Sequence, residues 1–389
     1  MKIAVLGGAG AMARSAVLDL VESHEVTSLI LADMNRKSLE ALKTSLGSEK
    51  VRIATVDITD HENLVGVVRG SDAVINGTVY YHNVEVMKAC LEVKTHYVDM
   101  GGLFHVSRKQ MLLDEDFRKA GLTAVLGMGS APGMVNVMAR FAYDRLDTIE
   151  SVRIRDGIVN FTKMKSPLGI PYALDTILDE FLMNPYIFEK GDWVELRPFS
   201  RPEQVDFPEP VGRQTTFMTL HSEVATIPVS FKDKGIQEVS FKLALPKAFE
   251  EKVRFLVDLG LGSRKAISVG GIKVVPRDML IALTRQLPKA KGKPDDHKVL
   301  RVDVKGKQAG KDVTYRLECI QHPYEPWGMR CGSFTVGFPV AVVAKMLASG
   351  EVKTRGAIGS EQCIQPEAFF RVLAKRGLPV TVTQTQNAC

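Results

Sequence analysis

Three features of the sequence predict an α/β molecule: a doubly wound parallel sheet carrying an inserted, mixed α+β domain. Short apolar strands alternate with amphipathic helices through the first part of the chain. The first of these strands runs into a glycine-rich turn that opens a helix. Near Ile149 the continuous apolar runs give way to alternating apolar and charged residues. A chain of 389 residues also exceeds what one hydrophobic core usually supports. These changes of pattern place a first domain at residues 1–134, an insert at 135–332, and helices returning to the first domain at 333–389.

"KIAVLG" is a short strand with no charge after Lys2, and a helix from Met12 to Ser23 follows it. "SLILAD" and "NRKSLEALKTSL" repeat the unit. "VRIATVD", "HENLVGVVRG", "DAVINGT", "HNVEVMKACLEV", "HYVDMG", "LLDEDFRKAG" and "TAVLGMG" continue it. Strands apolar on both faces belong in a parallel sheet covered by helices on each side. "SVRIRDGIV", "QEVSFKLAL", "AISVGGIKVV", "KVLRVDVKGK" and "VTYRLECI" have instead the period of two expected of half-solvated strands. Helical patches fall at Tyr172–Phe181, Ala248–Leu259 and Pro276–Gln286. "FPVAVVAKMLASGEV" and "QPEAFFRVLAKRG" read as two further amphipathic helices.

Composition excludes several classes of function. A net charge of +6 is mild, and the densest basic stretch, "LPKAKGKPDDHK", is interrupted by Asp295 and Asp296. A solvated loop is its reading, and nucleic acid is not an expected partner. Five cysteines, Cys90, Cys319, Cys331, Cys363 and Cys389, form no CxxC pair, so neither a metal cluster nor a disulfide framework is expected. Reduced thiols, no signal peptide before the first strand and no apolar run near 20 residues lead to the expectation of a cytoplasmic protein without a membrane span.

Gly8-x-Gly10-x-x-Ala13 matches G-x-G-x-x-A, and Gly7-x-x-Gly10-x-x-Ala13 fits a looser variant. The glycines permit close approach of main chain to a pyrophosphate, with Ala11 and Met12 leading into the positive end of the helix. Asp33, ending the next strand, can accept hydrogen bonds from the adenine-ribose hydroxyls. Its charge favours NAD as cofactor. Arg36 leaves NADP open, since a guanidinium can pair with a 2′-phosphate. Asp57 ends the third strand, where it either borders the adenine or caps the helix starting near Asp60. Tyr186 and Lys190 have the Tyr-x-x-x-Lys spacing of short-chain dehydrogenases, but Pro185 and Gly191 leave no room for the helix that pair requires.

The succession "VLGGAGAMA", "LADMN", "VDITD", "DAVINGT", "THYVDMGG", "AVLGMGSAPGM" and "GEVKTRGAIGSEQCIQPEAFFRVLAKRG" resembles the saccharopine dehydrogenase-like family over nearly the whole chain. "YVDMGG" followed by "APGMVN" is most similar to the lysine 6-dehydrogenase branch. Saccharopine-forming reductases carry Asp-Pro-Gly at that turn, and Ala131 here counts against saccharopine as substrate. The resemblance implies an NAD(P)-dependent oxidoreductase acting on a C–N bond of an amino acid, working as a homodimer. Amine oxidation of the lysine 6-dehydrogenase kind is the first reading. The alternatives are a reductase forming a secondary amine, of the saccharopine or carboxynorspermidine type, and a non-catalytic dinucleotide-binding protein.

Ligands of a doubly wound sheet gather beyond the carboxyl ends of its strands. Asn76, Gly77 and Thr78 are therefore expected beside the nicotinamide ribose. Tyr80, Tyr81 and His82 follow as pocket residues. Asp99 is a candidate proton acceptor, with Gly101 and Gly102 near the substrate and His105 a weaker candidate. "GSAPGMVN" supplies Ala131, Pro132 and Gly133 on the substrate side, where Met134 opens a helix whose amides suit a carboxylate. In the β-like stretch "TLHSEVAT" of the insert, His221 and Glu223 are candidate catalytic residues, because the resemblance sets this region over the nicotinamide. Arg213 and Lys232 are candidate carboxylate clamps. Trp327 and Arg330 fall near the return crossing.

Overall fold

A computed structural model describes residues 1–163, 165–170, 172–288 and 292–386. Strands β1 (Lys2–Leu6), β2 (Ser28–Asp33), β3 (Val51–Thr55), β4 (Ala73–Asn76), β5 (His96–Asp99) and β6 (Thr123–Leu126) open the chain. Helices α1 (Ala13–Glu22), α2 (Arg36–Leu46), α3 (His61–Val68), α4 (Asn83–Val93), α5 (Leu103–Met111) and α6 (Asp114–Lys119) connect them. Then come α7 (Met134–Tyr143), β7 (Thr148–Asn160), α8 (Leu174–Leu182), β8 (Tyr186–Glu189), β9 (Asp192–Glu195), β10 (Glu203–Asp206) and β11 (Arg213–Met218). Helix α9 (Glu223–Ser230), β12 (Glu238–Ala244), α10 (Lys247–Asp258), β13 (Ile267–Val269), β14 (Ile272–Val274), α11 (Pro276–Arg285), β15 (Asp296–Gln308) and β16 (Lys311–Gln321) complete the insert. The chain closes with α12 (Cys331–Ala348), β17 (Gly356–Gly359), α13 (Pro366–Ala374) and β18 (Thr381–Gln386).

The first sheet runs β17-β6-β5-β4-β1-β2-β3, parallel throughout. Strict alternation explains its apolar strands. Ile3 and Val5 enter the core on one face, while Ala4 and Leu6 enter the core on the other. The second sheet runs β10-β11-β12-β7-β15-β16-β18, with β8 and β9 attached at β12. It is mixed: β12 pairs parallel with β7, and the long β7, β15 and β16 pair antiparallel.

Helix α12 joins the two sheets. By length and composition it is apolar enough to cross a membrane, but 72% of it is buried inside the fold. The reading of this helix as amphipathic is thereby corrected: its apolar residues point to all sides because it is enclosed. Gly337 lets it lie against α1, since a β-carbon there would stand 2.9 Å from the Ala16 nitrogen and closer still to Met12 O and Ser15 Oγ. The Ser15 hydroxyl donates to the Ser333 carbonyl at 2.8 Å across the same crossing.

Other expectations need correction. Helix α5 buries Ser107 and Gln110 along with Leu103 and Phe104, so its apolar period was hidden. "TLHSEVAT" is a loop leading into α9, not a strand. The C-terminal segment adds β17 to the first sheet and β18 to the second, so residues 333–389 are not helical additions to the first domain alone. The Tyr186–Lys190 spacing, by contrast, is as expected: Tyr186 lies on strand β8 and Lys190 just beyond it, with no helix to support the pair. Cys389 and part of the basic stretch near Leu287 lie outside the described residues.

Candidate active site

The first glycine turn is held shut by its own backbone. Gly7 adopts φ +67, and a β-carbon there would stand 2.7 Å from Gly77 O. Gly10 donates its amide to Gly7 O at 2.8 Å, and a β-carbon on it would meet the same oxygen at 2.9 Å. Gly8 bonds to Ala32 O at 3.0 Å. Ala11 is exposed, and among the described residues the main-chain amides of Ala11 and Met12 have no partner. Unclaimed amides, small side chains and the start of α1 fit a pyrophosphate. Asp33 ends β2, where its carboxylate accepts from Ala9 N at 3.3 Å and Asn35 N at 3.0 Å, placing it beside the turn. Arg36 is exposed and bonded to Glu40 at 2.9 Å.

Beyond the carboxyl ends of β4, β5 and β6 a cleft of ≈ 290 Å³ separates the two sheets. Met12, Gly77, Thr78, Tyr80, Gly101, Gly102, Ala131 and Pro132 form its first-domain wall. Opposite stand Asp156 of β7, Tyr172, Glu180 of α8, His221, Ser222 and Lys298 of β15. The His221 ring stacks on Phe241 with centroids 3.8 Å apart, and its Nδ1 bonds Glu223 Oε2 at 2.5 Å. Burial alone would depress the imidazole, but the Glu223 carboxylate, together with Glu180 and Asp156, more than offsets it and holds His221 above its ordinary value. Burial pushes the Glu180 carboxyl up to about 7, against the pull of the His221 charge and of a hydrogen bond from the Tyr172 hydroxyl. Burial likewise raises Asp156, opposed by Lys298, whose Nζ lies 2.7 Å from Asp156 Oδ2.

Three oxygens here have no hydrogen-bond partner among the described residues: Asp156 Oδ1, Ser222 Oγ and, behind His221, Glu223 Oε1. Unsatisfied buried acceptors are costly, and Asp156 Oδ1 and Ser222 Oγ, on residues lining the cleft, suit a ligand with N–H groups to give.

Family models match nearly the whole chain, the saccharopine dehydrogenase NADP binding domain at residues 3–125 and the saccharopine dehydrogenase C-terminal domain at 129–378. The chain belongs to the saccharopine dehydrogenase family. It is an NAD(P)-dependent oxidoreductase of that family. A carboxyaminopropylagmatine dehydrogenase of Synechocystis sp. is 24% identical over 386 residues, covering 96% of this chain and 95% of that protein. A carboxynorspermidine synthase of Vibrio cholerae is 25% identical, covering 85% and 82%. Among solved structures, apo saccharopine dehydrogenase (L-Glu forming) from Saccharomyces cerevisiae superposes with a TM-score of 0.74 at 18% identity, over 100% of both chains. Homospermidine synthase from Legionella pneumophila, in complex with NAD, gives 0.70 at 11% identity over 99% of this chain and 91% of that one. At such identities these two structures speak for the fold.

Within this saccharopine dehydrogenase fold several candidate residues have other tasks. Asp99 is fully buried and saturated. Its carboxylate accepts from Gly101 N and Gly127 N, each at 2.8 Å, from Gln110 at 2.6 Å and from Tyr97 at 3.0 Å. It ties the turns after β5 and β6 together behind the cleft and does not line it. Asn76 is also buried, its side chain spent on Thr78, Asn83 and Tyr97. Asp57 accepts from Thr59, and the cap of α3 is Asp60. The amides at the start of α7 face no ligand: Gly133 N is capped by Asn136, Met134 N bonds Gly129 O, and Val135 N bonds Ser130 O. Gly133 serves this tight loop, while Ala131 and Pro132 reach the cleft.

Arg213 lies on strand β11 with its side chain 69% exposed, 3.5 Å from Asp206 and away from the cleft. Lys232 is exposed. His105 packs its ring edge-on against Tyr186, 5.3 Å away. Trp327 bonds Glu22 at 2.7 Å as part of a packing cluster. Asp156, Tyr172, Glu180 and Lys298 were missed. Glu180 and Tyr172 were hidden in a helical patch read only for its apolar period, and Asp156 and Lys298 in strands read as half-solvated.

Proposed function

We propose that the chain catalyses pyridine-nucleotide-dependent formation and cleavage of a secondary amine, joining a primary amine to an amino-acid semialdehyde. The observation that carries this reading is the pair of oxygens without a partner among the described residues, Asp156 Oδ1 and Ser222 Oγ, in a cleft also walled by Glu180 and Asp296. Such a surface suits a ligand nitrogen with hydrogens to donate, and cationic amines in particular. The names of the Synechocystis and Vibrio relatives, which describe carboxylated polyamine derivatives, support it.

In the forming direction the amine adds to the carbonyl carbon, the C–O bond breaks, oxygen leaves as water, and the imine carbon receives a hydride. The nicotinamide, when bound at the glycine turn, supplies that hydride. The chain's own residues hold the amine and move protons. Glu180, with its carboxyl near 7, takes a proton from the incoming ammonium at neutral pH. His221, whose imidazolium form Glu223 favours, donates to the departing hydroxyl, and Lys298 opposes the protonation of Asp156 that burial favours. Asp33 beside the turn favours NAD over NADP, because its charge opposes a 2′-phosphate. Oxidation of a primary amine, as in lysine 6-dehydrogenases, would use the same groups in reverse.

Coenzyme oxidation should therefore require an amino-acid semialdehyde and a diamine or agmatine together, with NADH preferred to NADPH. Reduction of NAD by lysine alone, with no reaction of the paired substrates, would return the assignment to a lysine 6-dehydrogenase-like activity.

A further inference from the structure

Helix α8 carries Glu180 toward the cleft and, one residue earlier, Asp179 away from it. Successive helical residues diverge by about 100°, so the two carboxyls report on one rigid element from different sides. Asp179 is 5% exposed. From the insert it is held by Arg277, whose Nη1 lies 2.5 Å from Asp179 Oδ1 and 3.2 Å from Asp175 Oδ1. Arg277 is itself buried and anchored by Nε to Gly262 O at 2.7 Å. From the first domain comes Tyr80, whose hydroxyl donates to Asp179 Oδ2 at 2.8 Å. Its neighbour Tyr81 donates to Asp175 Oδ2 at 2.9 Å, where Arg264 also binds at 2.9 Å. Arg277 and Arg264, which also reaches Asp179 Oδ2 at 3.4 Å, balance the two carboxylates, so charge balance inside the insert does not need the tyrosines. What they add is a bond between domains, made two residues after Thr78 at the cofactor-side turn.

We propose that Tyr80 and Asp179, seconded by Tyr81 and Asp175, form a latch that fixes the cofactor-side turn against the helix carrying Glu180. Tyr80 is then a positioning residue for the reaction, acting through α8. The catalytic half of this statement rests on the proposed amine chemistry, whereas the latch itself does not. The groups facing Glu180 are Tyr172, Asp156 of β7, His221 and Lys298 of β15, while Asp175 and Asp179 on its own helix are turned to the tyrosines and arginines. A shift of α8 changes its distance to the first four together, leaving the last two fixed.

Tyr80→Phe keeps the ring and removes the one oxygen, so folding is preserved. Amide exchange followed by mass spectrometry should quicken at Thr78–Asn83 and at Leu174–Leu182 together, with α2, which packs on β2 and β3, unchanged. On paired substrates kcat should fall on the order of 10-fold, as small misplacements at a reacting centre do. KM for the dinucleotide should hold, and the pH midpoint near neutrality should move. Unchanged exchange in both segments overturns the latch. Faster exchange with wild-type kcat and pH profile overturns the positioning role. Should the wild-type protein turn over no C–N substrate, the proposed function fails, and exchange alone decides the latch.

Discussion

Glu180 shows most directly how burial becomes chemistry. Its carboxyl stands at about 7 in the fold against 4.5 when unfolded, with loss of solvent as the largest cause. The sign of the linkage follows: this group favours folding fully below about pH 4.5, and the contribution disappears as pH rises through about 7. A shift of that size corresponds to roughly 3 kcal/mol. In Glu180→Gln the decline in stability between pH 5 and pH 8, read from urea denaturation, should be shallower by about that amount. Turnover should fall on the order of 10²-fold or more, as expected for loss of an acid–base group. A variant with the wild-type pH slope would mean that Glu180 is ionised without penalty. Asp99 is the opposite case. The sequence offered an aspartate at a strand end in a cofactor-binding sheet, which is where a proton acceptor belongs. What the sequence did not display was the four donors that converge on it from Tyr97, Gly101, Gln110 and Gly127. Asp99→Asn places an amide N–H against the Gln110 donor, and should cost about 1–2 kcal/mol in stability. Activity at saturating substrate should stay within a few-fold of wild type; a loss near 10³-fold would restore Asp99 to the chemistry.

At the scale of elements, legibility followed how far a strand or helix depends on its own residues. Strands β1, β4, β5 and β6 were readable because both faces are largely buried, leaving short apolar runs, whereas the edge strand β3 buries only Val51. The strands β7, β12, β15 and β16 were readable because they alternate. Helix α9 was not, since Pro228 and its β-branched Val224, Thr226 and Ile227 imitate a strand and only the burial of Glu223–Pro228 makes it helical. β17 was not, being four residues with a glycine at each end. The candidate site divides the same way: the glycine turn has a local pattern, whereas Asp156, Tyr172, Glu180 and Lys298 meet only through the pairing of β7 with β15 and the packing of α8. Helix α12 depends on one contact that the sequence conceals entirely, Gly337 against Met12, Ser15 and Ala16. Gly337→Leu must push α12 off α1, an overpacking that costs about 1–3 kcal/mol or more. Because Met12 also lines the cleft, the same variant should bind dinucleotide more weakly by calorimetry. Wild-type stability together with wild-type affinity would show that the crossing has slack.

The molecule as a whole has two large sheets and the small β13–β14 ribbon, and its largest core runs through both large sheets. One continuous cluster contains Ile3 and Val5 of the first sheet, Phe334, Phe338 and Val342 of α12, and Ile154, Phe241, Val302 and Leu317 of the second sheet. Chains of this length commonly unfold domain by domain, because each domain encloses its own apolar surface. Here α12 belongs to both, and β18 carries the chain end back onto the second sheet after β17 has joined the first. Separating the domains would expose α12 on one side or the other, so neither half is stable without its partner. Calorimetry should accordingly show one heat-absorption peak. Saturation with dinucleotide, which touches mainly the first sheet, should move that whole peak. At a hundred times Kd the linkage contributes about 2.7 kcal/mol, and the unfolding entropy of a chain of this size converts that to roughly 3 °C. Two peaks, with the dinucleotide moving only one, would show instead that the insert unfolds independently. The cleft would then open by separation of domains, and the contacts of Tyr80 and α12 would be too weak to hold it.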